Sequence, residues 1–571
     1  MPKRQPWFIF FLFLLSVALL FAHLGLAPLW KAEARIAEVV REMILKKDYL
    51  HPTCLWVPYV TKPLVPYWLC VVFYKLRGTL DELTLRLPVA MSAAFATAAT
   101  ALIGRRLYNL KTGLFSGFFL VTCYGFITWG RCAAPDMLNV SAIIVSVAWY
   151  LYRIKDERIA DAFILGLLMG LSGQMKGLVG IVIPAMLVFL HLLIYKRLHL
   201  LLRPGLLIAF LLGLSGYLIP FILSFEGKGA GGYNWLYMAI HESVLRAVSP
   251  FDHKGSVFTY VEFVPIWMLP WTPLFLGMVL FHIARWKRLG RQVQWLFLSF
   301  VAIFFLFTMA GSRRSYYILP ILPLAAIITG SCLEFFKDGL VRKAVYIQIW
   351  FFFLVAIVLV MSPLLSLWDS FPLPARFFIM PCIQGIFVLS VLFFGLMRLA
   401  KDENSVNFLV IMAVSGFIIT SGFVLFIKPY FDVRQTEKPF ILKVKKRCIS
   451  SGQTPLYLDI GPRTRARLDF YLDLSVPIRN ISNLNGLVDA ISTKNRGSLL
   501  LLAEASAQKD MKDLLHGLEV RNLFCQRVLP WQGWPKRQAR LRRSRLCLFE
   551  IIETQERGMQ ADRLADPAHQ P

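Results

Sequence analysis

Polar side chains able to handle a charged ligand recur at a defined set of positions: Glu33, Arg35, Lys62, Arg131, Asp136, Lys176, His241, Glu242, Arg246, His253, Arg313 and Arg314. Each stands near the first turn of an apolar run or in one of two long connections between such runs. Arginine offers a phosphate a planar fork of donors, and lysine offers a point charge. The carboxylates can pair with these cations or accept a proton. Singly, each residue has an ordinary explanation. Glu33 and Arg35 read as helix-end charges, and Asp136 as an acid favoured at a helix N-terminus. Lys62, in TKPLVPYW, reads as a snorkelling lysine or as an ammonium for a lipid phosphate. Arg131 precedes Asp136 by five residues, so the two can pair or flank an anion. A lone loop histidine such as His241 is more often not a metal ligand than one. Tyr316 and Tyr317, in RRSYYILP, suit interface anchoring, but Arg313 and Arg314 beside them run against the local charge pattern. Taken together the set describes a cationic pocket with a few carboxylates, which suits an amphiphile with a phosphate head.

The elements that must position these groups are membrane spans. Of 571 residues, 57% are hydrophobic, above the roughly 45–50% of a soluble domain. Apolar runs at 7–27, 86–104, 112–130, 136–153, 160–176, 178–195, 204–225, 262–284, 292–310, 316–336, 345–363, 376–397 and 407–427 predict a polytopic α-helical membrane protein of about thirteen spans. The first run is expected to remain as a span rather than to be cleaved as a signal peptide. Cations crowd alternate short loops: Arg105, Arg106 and Lys111; Arg153, Lys155 and Arg158; Lys196, Arg197 and Arg203; and so on to Arg398 and Lys401. That bias places the N-terminus in the cytoplasm and, with an odd number of spans, the tail outside. It also accounts for much of the net charge of +28 without nucleic acid as a partner.

Two outer connections are long, 28–85 and 226–261. Residues 32–44 have helical amphipathic spacing, and 66–74 is apolar but too short to span. The transmembrane region covers 1–427. Residues 428–553 read as a small C-terminal α/β domain with strands at 454–461, 498–505 and 545–552, and 554–571 as a disordered tail. Nine cysteines form no C-x-x-C pair, and a disulfide among Cys448, Cys525 and Cys547 is left open. No glycine-rich phosphate loop of the nucleotide-binding kinds occurs.

Read in order, AEARIAEVVREM (32–43), KKDYLHP (46–52), TKPLVPYW (61–68), RLP (86–88), GRRLY (104–108), GRCAAPDM (130–137), MKGLVGIVIP (175–184), IHESVLR (240–246), LPW (269–271) and SYYILP (315–320) form a pattern. It resembles the bacterial polyprenyl-phosphate-dependent glycosyltransferases of the protein-mannosyltransferase superfamily, and among them the lipid A aminoarabinose transferases. The resemblance implies a GT-C type membrane fold in the bacterial inner membrane, with long outer loops and a periplasmic C-terminal domain. It implies transfer of a sugar from a polyprenyl-phosphate donor to an extracytoplasmic acceptor, lipid A or another envelope glycolipid. Carried over by position, Arg35, Lys62 and Arg246 hold the donor phosphate, and Glu33 and Asp136 are the catalytic carboxylates. Arg131, Lys176, Glu242, Arg313, Tyr316 and Tyr317 line the pocket. His241 matches a metal-binding position, so a divalent metal is an open expectation. Three positions depart from the pattern: Ala32 replaces an aspartate, Ile36 a tyrosine, and Thr61 a glutamate that would ligate metal. The altered loop also allows an impaired enzyme, and a flippase for a lipid-linked sugar would share the cationic outer face, but it would also need polar groups at mid-membrane or an inverted repeat, and the sequence shows neither.

Overall fold

The computed structural model describes residues 6–59, 62–153, 158–223, 255–367, 376–399, 405–429, 432, 437–473, 475–492, 498–515, 518–525 and 545–553. A helix coincides with every apolar run predicted to span. The first ten helices are α1 (Pro6–Phe21), α2 (Lys31–Lys46), α3 (Val65–Arg77), α4 (Glu82–Leu107), α5 (Leu110–Thr122), α6 (Tyr124–Gly130), α7 (Pro135–Arg153), α8 (Ile159–Lys176), α9 (Val179–Ile194) and α10 (Pro204–Leu223). Among the described residues, five helices are by themselves long and apolar enough to cross a membrane, and α5 with α6 makes a sixth if the bent pair is one span. Several other apolar helices are shorter.

Two of the predicted spans are broken, at places that touch. The run at 112–130 divides into α5 and α6, bent by 64°. The run at 262–284 divides into helices Thr259–Trp267 and Thr272–Ala284, with Pro265 and Pro270 at the break. Proline supplies no backbone donor and clashes with the preceding turn, so the second break is written in the sequence. The first is made by packing: the Tyr124 amide donates to the Leu269 carbonyl at 2.6 Å, from one break to the other. Trp271 fills the joint, its indole N–H donating to Thr122 Oγ1 at 2.9 Å. The Tyr124 and Trp267 rings stack 5.6 Å apart.

The first long connection is folded. In it, α2 is followed by a two-stranded hairpin, β1 (Thr53–Cys54) and β2 (Val57–Pro58), and then by α3. Leu55 and Trp56 both take positive φ at the hairpin turn. The buried Glu42 carboxylate holds this turn by accepting from the Trp56 amide and from the Thr53 hydroxyl. The tail carries a five-stranded mixed sheet of β3 (Leu456–Leu458), β4 (Asn480–Ile481), β5 (Leu499–Glu504), β6 (Leu518–Cys525) and β7 (Leu546–Glu553), in the order β4-β3-β5-β7-β6. β3, β5 and β7 lie where strands were predicted; β4 and β6 were not read from the sequence. β3 runs parallel to β4 and β5, whereas β7 is antiparallel to both its neighbours. Cys525 and Cys547 face each other across β6 and β7 and form a disulfide.

The tail and the first connection share one core. Val39, Val40, Met43, Tyr67 and Val71 pack in the same apolar cluster as Ile441, Val444, Tyr457, Leu468 and Leu472. Consequently α2 is covered on its polar side as well: Glu38, Arg41 and Glu42 are buried, although the sequence suggested a helix with one apolar face. Glu38 meets Arg41 through two parallel contacts, of 2.9 and 2.7 Å. Tyr471 stitches the two parts together, its hydroxyl accepting from the Leu29 amide and donating to Glu82, each at 2.9 Å.

Candidate active site

Glu33 enters α2 at its third position and caps the helix, accepting the Trp30 amide at 2.7 Å. Its remaining contacts come from outside the helix. Arg86, in the second turn of α4, bonds both carboxylate oxygens, at 2.8 and 2.7 Å. The Ala133 amide donates at 2.7 Å. Arg86 spends its other N–H groups on the carbonyls of Leu24, Ala27 and Pro28. An arginine has five N–H donors, and all five are used. Burial alone would raise the Glu33 carboxyl pKa, but the Arg86 charge and the converging donors hold it below the ordinary value. The pair thus locks the start of the first connection to α4 and to the 130–136 turn. Glu33 is legible in the sequence as a candidate, whereas Arg86, within the RLP motif at 86–88, has no assigned role there. The available sign was an arginine at the cation-poor end of a span.

Asp136 lies in the first turn of α7, three residues beyond Ala133 and hence within about 11 Å of chain from the Glu33 contact. It forms an ion pair with Lys176, the last residue of α8, not with Arg131. One turn along each helix, Asn139 donates to the Ser172 carbonyl at 3.0 Å and fixes the register of that pair. Gly177 then takes φ +100°, a conformation that strains any residue with a Cβ. The Lys176 ammonium sits 4.5 Å from the Tyr317 ring centre and 5.9 Å from that of Tyr316. Arg314 donates to the Tyr316 hydroxyl at 2.6 Å. The Tyr316 ring lies 4.4 Å from Trp129, which meets Trp30 edge-on at 6.1 Å. Asp136, Lys176, Tyr316 and Tyr317 therefore come together, and an aromatic chain runs from them to the start of α2.

The other candidates have different surroundings. Arg131 donates to the Leu19 and Leu20 carbonyls at 2.9 and 3.0 Å, so one arm of its guanidinium serves the end of α1. Arg313 donates to the Thr308 and Gly255 carbonyls, both at 2.9 Å, and ties its own loop. Arg35, one turn into α2, has a buried Nε with no hydrogen-bond partner among the described residues. The Tyr67 hydroxyl, with which Arg35 interacts electrostatically, is buried and likewise has no hydrogen-bond partner among the described residues. Burial keeps that phenol well above its ordinary pKa, so it remains a donor. Lys62 is half-buried at the entrance to α3. His241, Glu242 and Arg246, with most of the second long connection, lie outside the described residues, as do Thr61 and 554–571. Among the described residues no three His, Cys, Asp or Glu side chains gather as a metal-ligand set.

Residues 61–222 match the family described as dolichyl-phosphate-mannose-protein mannosyltransferase. An uncharacterised protein of Aquifex aeolicus is 28% identical over 370 residues, covering 63% of this chain and 70% of its own. Undecaprenyl phosphate-α-4-amino-4-deoxy-L-arabinose arabinosyl transferases of Pseudomonas fluorescens and Aeromonas salmonicida are each 26% identical, covering 53% and 61% of this chain. The aligned region spans only 52% and 63% of the length of those two relatives. The crystal structure of ArnT from Cupriavidus metallidurans bound to undecaprenyl phosphate superimposes with a TM-score of 0.71 at 20% identity, over 96% of this chain and 98% of that one. The chain thus has the GT-C type fold of ArnT and resembles, within the protein-mannosyltransferase superfamily, the aminoarabinose transferases.

Proposed function

We propose that this chain is an inner-membrane glycosyltransferase that moves a sugar from a polyprenyl-phosphate donor to lipid A or a related envelope glycolipid. The N-terminus is cytoplasmic, and the candidate site and the tail lie on the periplasmic side. The observation that carries this reading is the pair of buried donors, Arg35 Nε and Tyr67 Oη on the first connection, that have no hydrogen-bond partner among the described residues. A buried donor left unpaired costs about 1–3 kcal/mol. Phosphate oxygens would satisfy both, and the Arg35 charge would strengthen the contact. The disulfide between Cys525 and Cys547 supports a tail in an oxidising compartment. The aminoarabinose transferases among the relatives point to the same donor class.

The reaction is a single displacement. The bond between the anomeric carbon and the donor phosphate oxygen breaks, and its electron pair leaves on that oxygen. The acceptor oxygen forms the new bond from the opposite face. Arg35 and Lys62 stabilise the charge growing on the leaving phosphate, and Arg246 is proposed to join them. Glu33 is a positioning residue in this scheme. Its carboxylate is saturated and its proton affinity lowered, so it is a poor base. Asp136, paired with Lys176 beside Tyr316 and Tyr317, orients the sugar. Ala32 brings no carboxylate to the reacting centre. A phosphate acceptor needs none, because with a second pKa of about 6 it is already largely ionised at neutral pH.

The test is purified protein in liposomes with a polyprenyl-phosphate sugar. Arg35→Gln and Lys62→Ala should each weaken donor binding and slow turnover by about tenfold or more, the loss of one charge-assisted contact. Unchanged binding and turnover in both variants would remove the phosphate clamp from the scheme.

A further inference from the structure

At the end of the bundle opposite the candidate site, three successive short loops carry cations that charge bias alone would explain. Arg86 and Arg106 stand near opposite ends of α4, twenty residues and about 30 Å apart. The fold brings one or two cations from each loop onto a single cavity of about 720 Å³: Arg106, Arg158, Arg197 and Arg203. Arg106 closes α4, Arg158 is the N-cap of α8, and Arg197 and Arg203 flank the short turn Leu198–Leu202 before α10. No carboxylate lines this cavity among the described residues.

Topology asks only that loops be cationic, not that guanidinium groups from separate loops converge. Arg106, Arg158 and Arg197, one from each loop, repel one another beside apolar walls, and an anion between them relieves that cost. The floor is ordered. Tyr150 Oη meets His191 Nδ1 at 3.0 Å, and Arg106 Nε donates to the Leu151 carbonyl at 3.3 Å, which aims the rest of its fork. Beside the cavity Ile159 and Leu202 are 67% and 78% exposed, apolar surface of the kind that acyl chains cover. A cavity of this size holds a headgroup, within the usual range of about 300–1,000 Å³ for ligand sites. We propose that it binds the phosphate headgroup of an anionic membrane lipid, with arginine forks on the phosphate and acyl chains against Ile159 and Leu202. Placing this lipid in the inner leaflet rests on the orientation proposed above; the binding itself does not.

The experiment uses the full chain in nanodiscs of phosphatidylcholine with a minority of phosphatidylglycerol, followed by native mass spectrometry. Phosphatidylglycerol should be retained in preference, and Arg158→Gln with Arg197→Gln should cut that retention by about tenfold. Donor-lipid turnover should be unchanged, which separates this site from the transferase reading. In the unaltered chain, phosphatidylglycerol with a photoreactive acyl chain should label α8 or α10 near Ile159 and Leu202. Equal retention of the two lipids, retention unaffected by the double variant, or labelling only elsewhere would overturn the proposal. Displacement by soluble glycerol phosphate as effective as by the lipid would overturn the lipid as the source.

Discussion

At the scale of single residues, charge type misleads unless partners are counted. Glu33 and Arg35 are two positions apart in α2, and both read as site residues. Glu33 is consumed by Arg86, Trp30 and Ala133, whereas Arg35 keeps a buried N–H to give. Their substitutions should therefore separate. Glu33→Ala leaves Arg86 buried and uncompensated, a loss of about 3–5 kcal/mol, read as a large drop in melting temperature and in yield. A stable Glu33→Ala protein that lacked only turnover would return Glu33 to the chemistry. Tyr67→Phe removes a hydroxyl that has no hydrogen-bond partner among the described residues, so the melting temperature should hold or rise while donor affinity falls. Weakened stability with intact affinity would show that the hydroxyl serves the fold. Little of this was legible from spacing, because two of the three partners of Glu33, Arg86 and Ala133, lie 53 and 100 residues away.

At the scale of elements, apolar period and length placed helices at every predicted run, because a lipid-facing helix must satisfy its own backbone. The breaks were only half legible. Pro265 and Pro270 announce one, but nothing local announces the bend at Cys123, which depends on Leu269 and Trp267 in a distant segment. Gly125 marks the contact: a Cβ there would lie 2.5 Å from Trp267 Cβ. Gly125→Ala should cost about 1–3 kcal/mol through overpacking, measured as a lower melting temperature. An unchanged value would mean that the joint yields freely. The amphipathic reading of α2 found its apolar side and missed that its charged side is buried too, since the covering surface lies more than 400 residues on in the chain.

At the scale of the whole molecule, the tail is fastened to the first connection, so the loop that carries the candidate site and the tail share one core. Asp469 lies at that seam, accepting the Tyr457 hydroxyl at 2.6 Å. Burial pushes its carboxyl pKa up to about 6, above an unfolded value of about 3.9. A carboxyl that holds its proton more tightly when folded stabilises the fold most below pH 4, and that contribution is lost as pH rises to about 6. Hydrogen exchange in the helix Pro462–Leu472 should therefore quicken across that window, and Asp469→Asn should flatten the change. Parallel profiles for the two proteins would place the titration elsewhere. The central claim, transfer of a sugar from a polyprenyl-phosphate donor, is met most directly by a mass balance. Liposomes holding the purified chain, a polyprenyl-phosphate sugar and lipid A are analysed by mass spectrometry. The account predicts equal amounts of sugar-bearing lipid A and freed polyprenyl phosphate, both formed about tenfold or more slowly with Arg35→Gln. Donor that crosses the bilayer unconsumed, with lipid A unaltered, would contradict it.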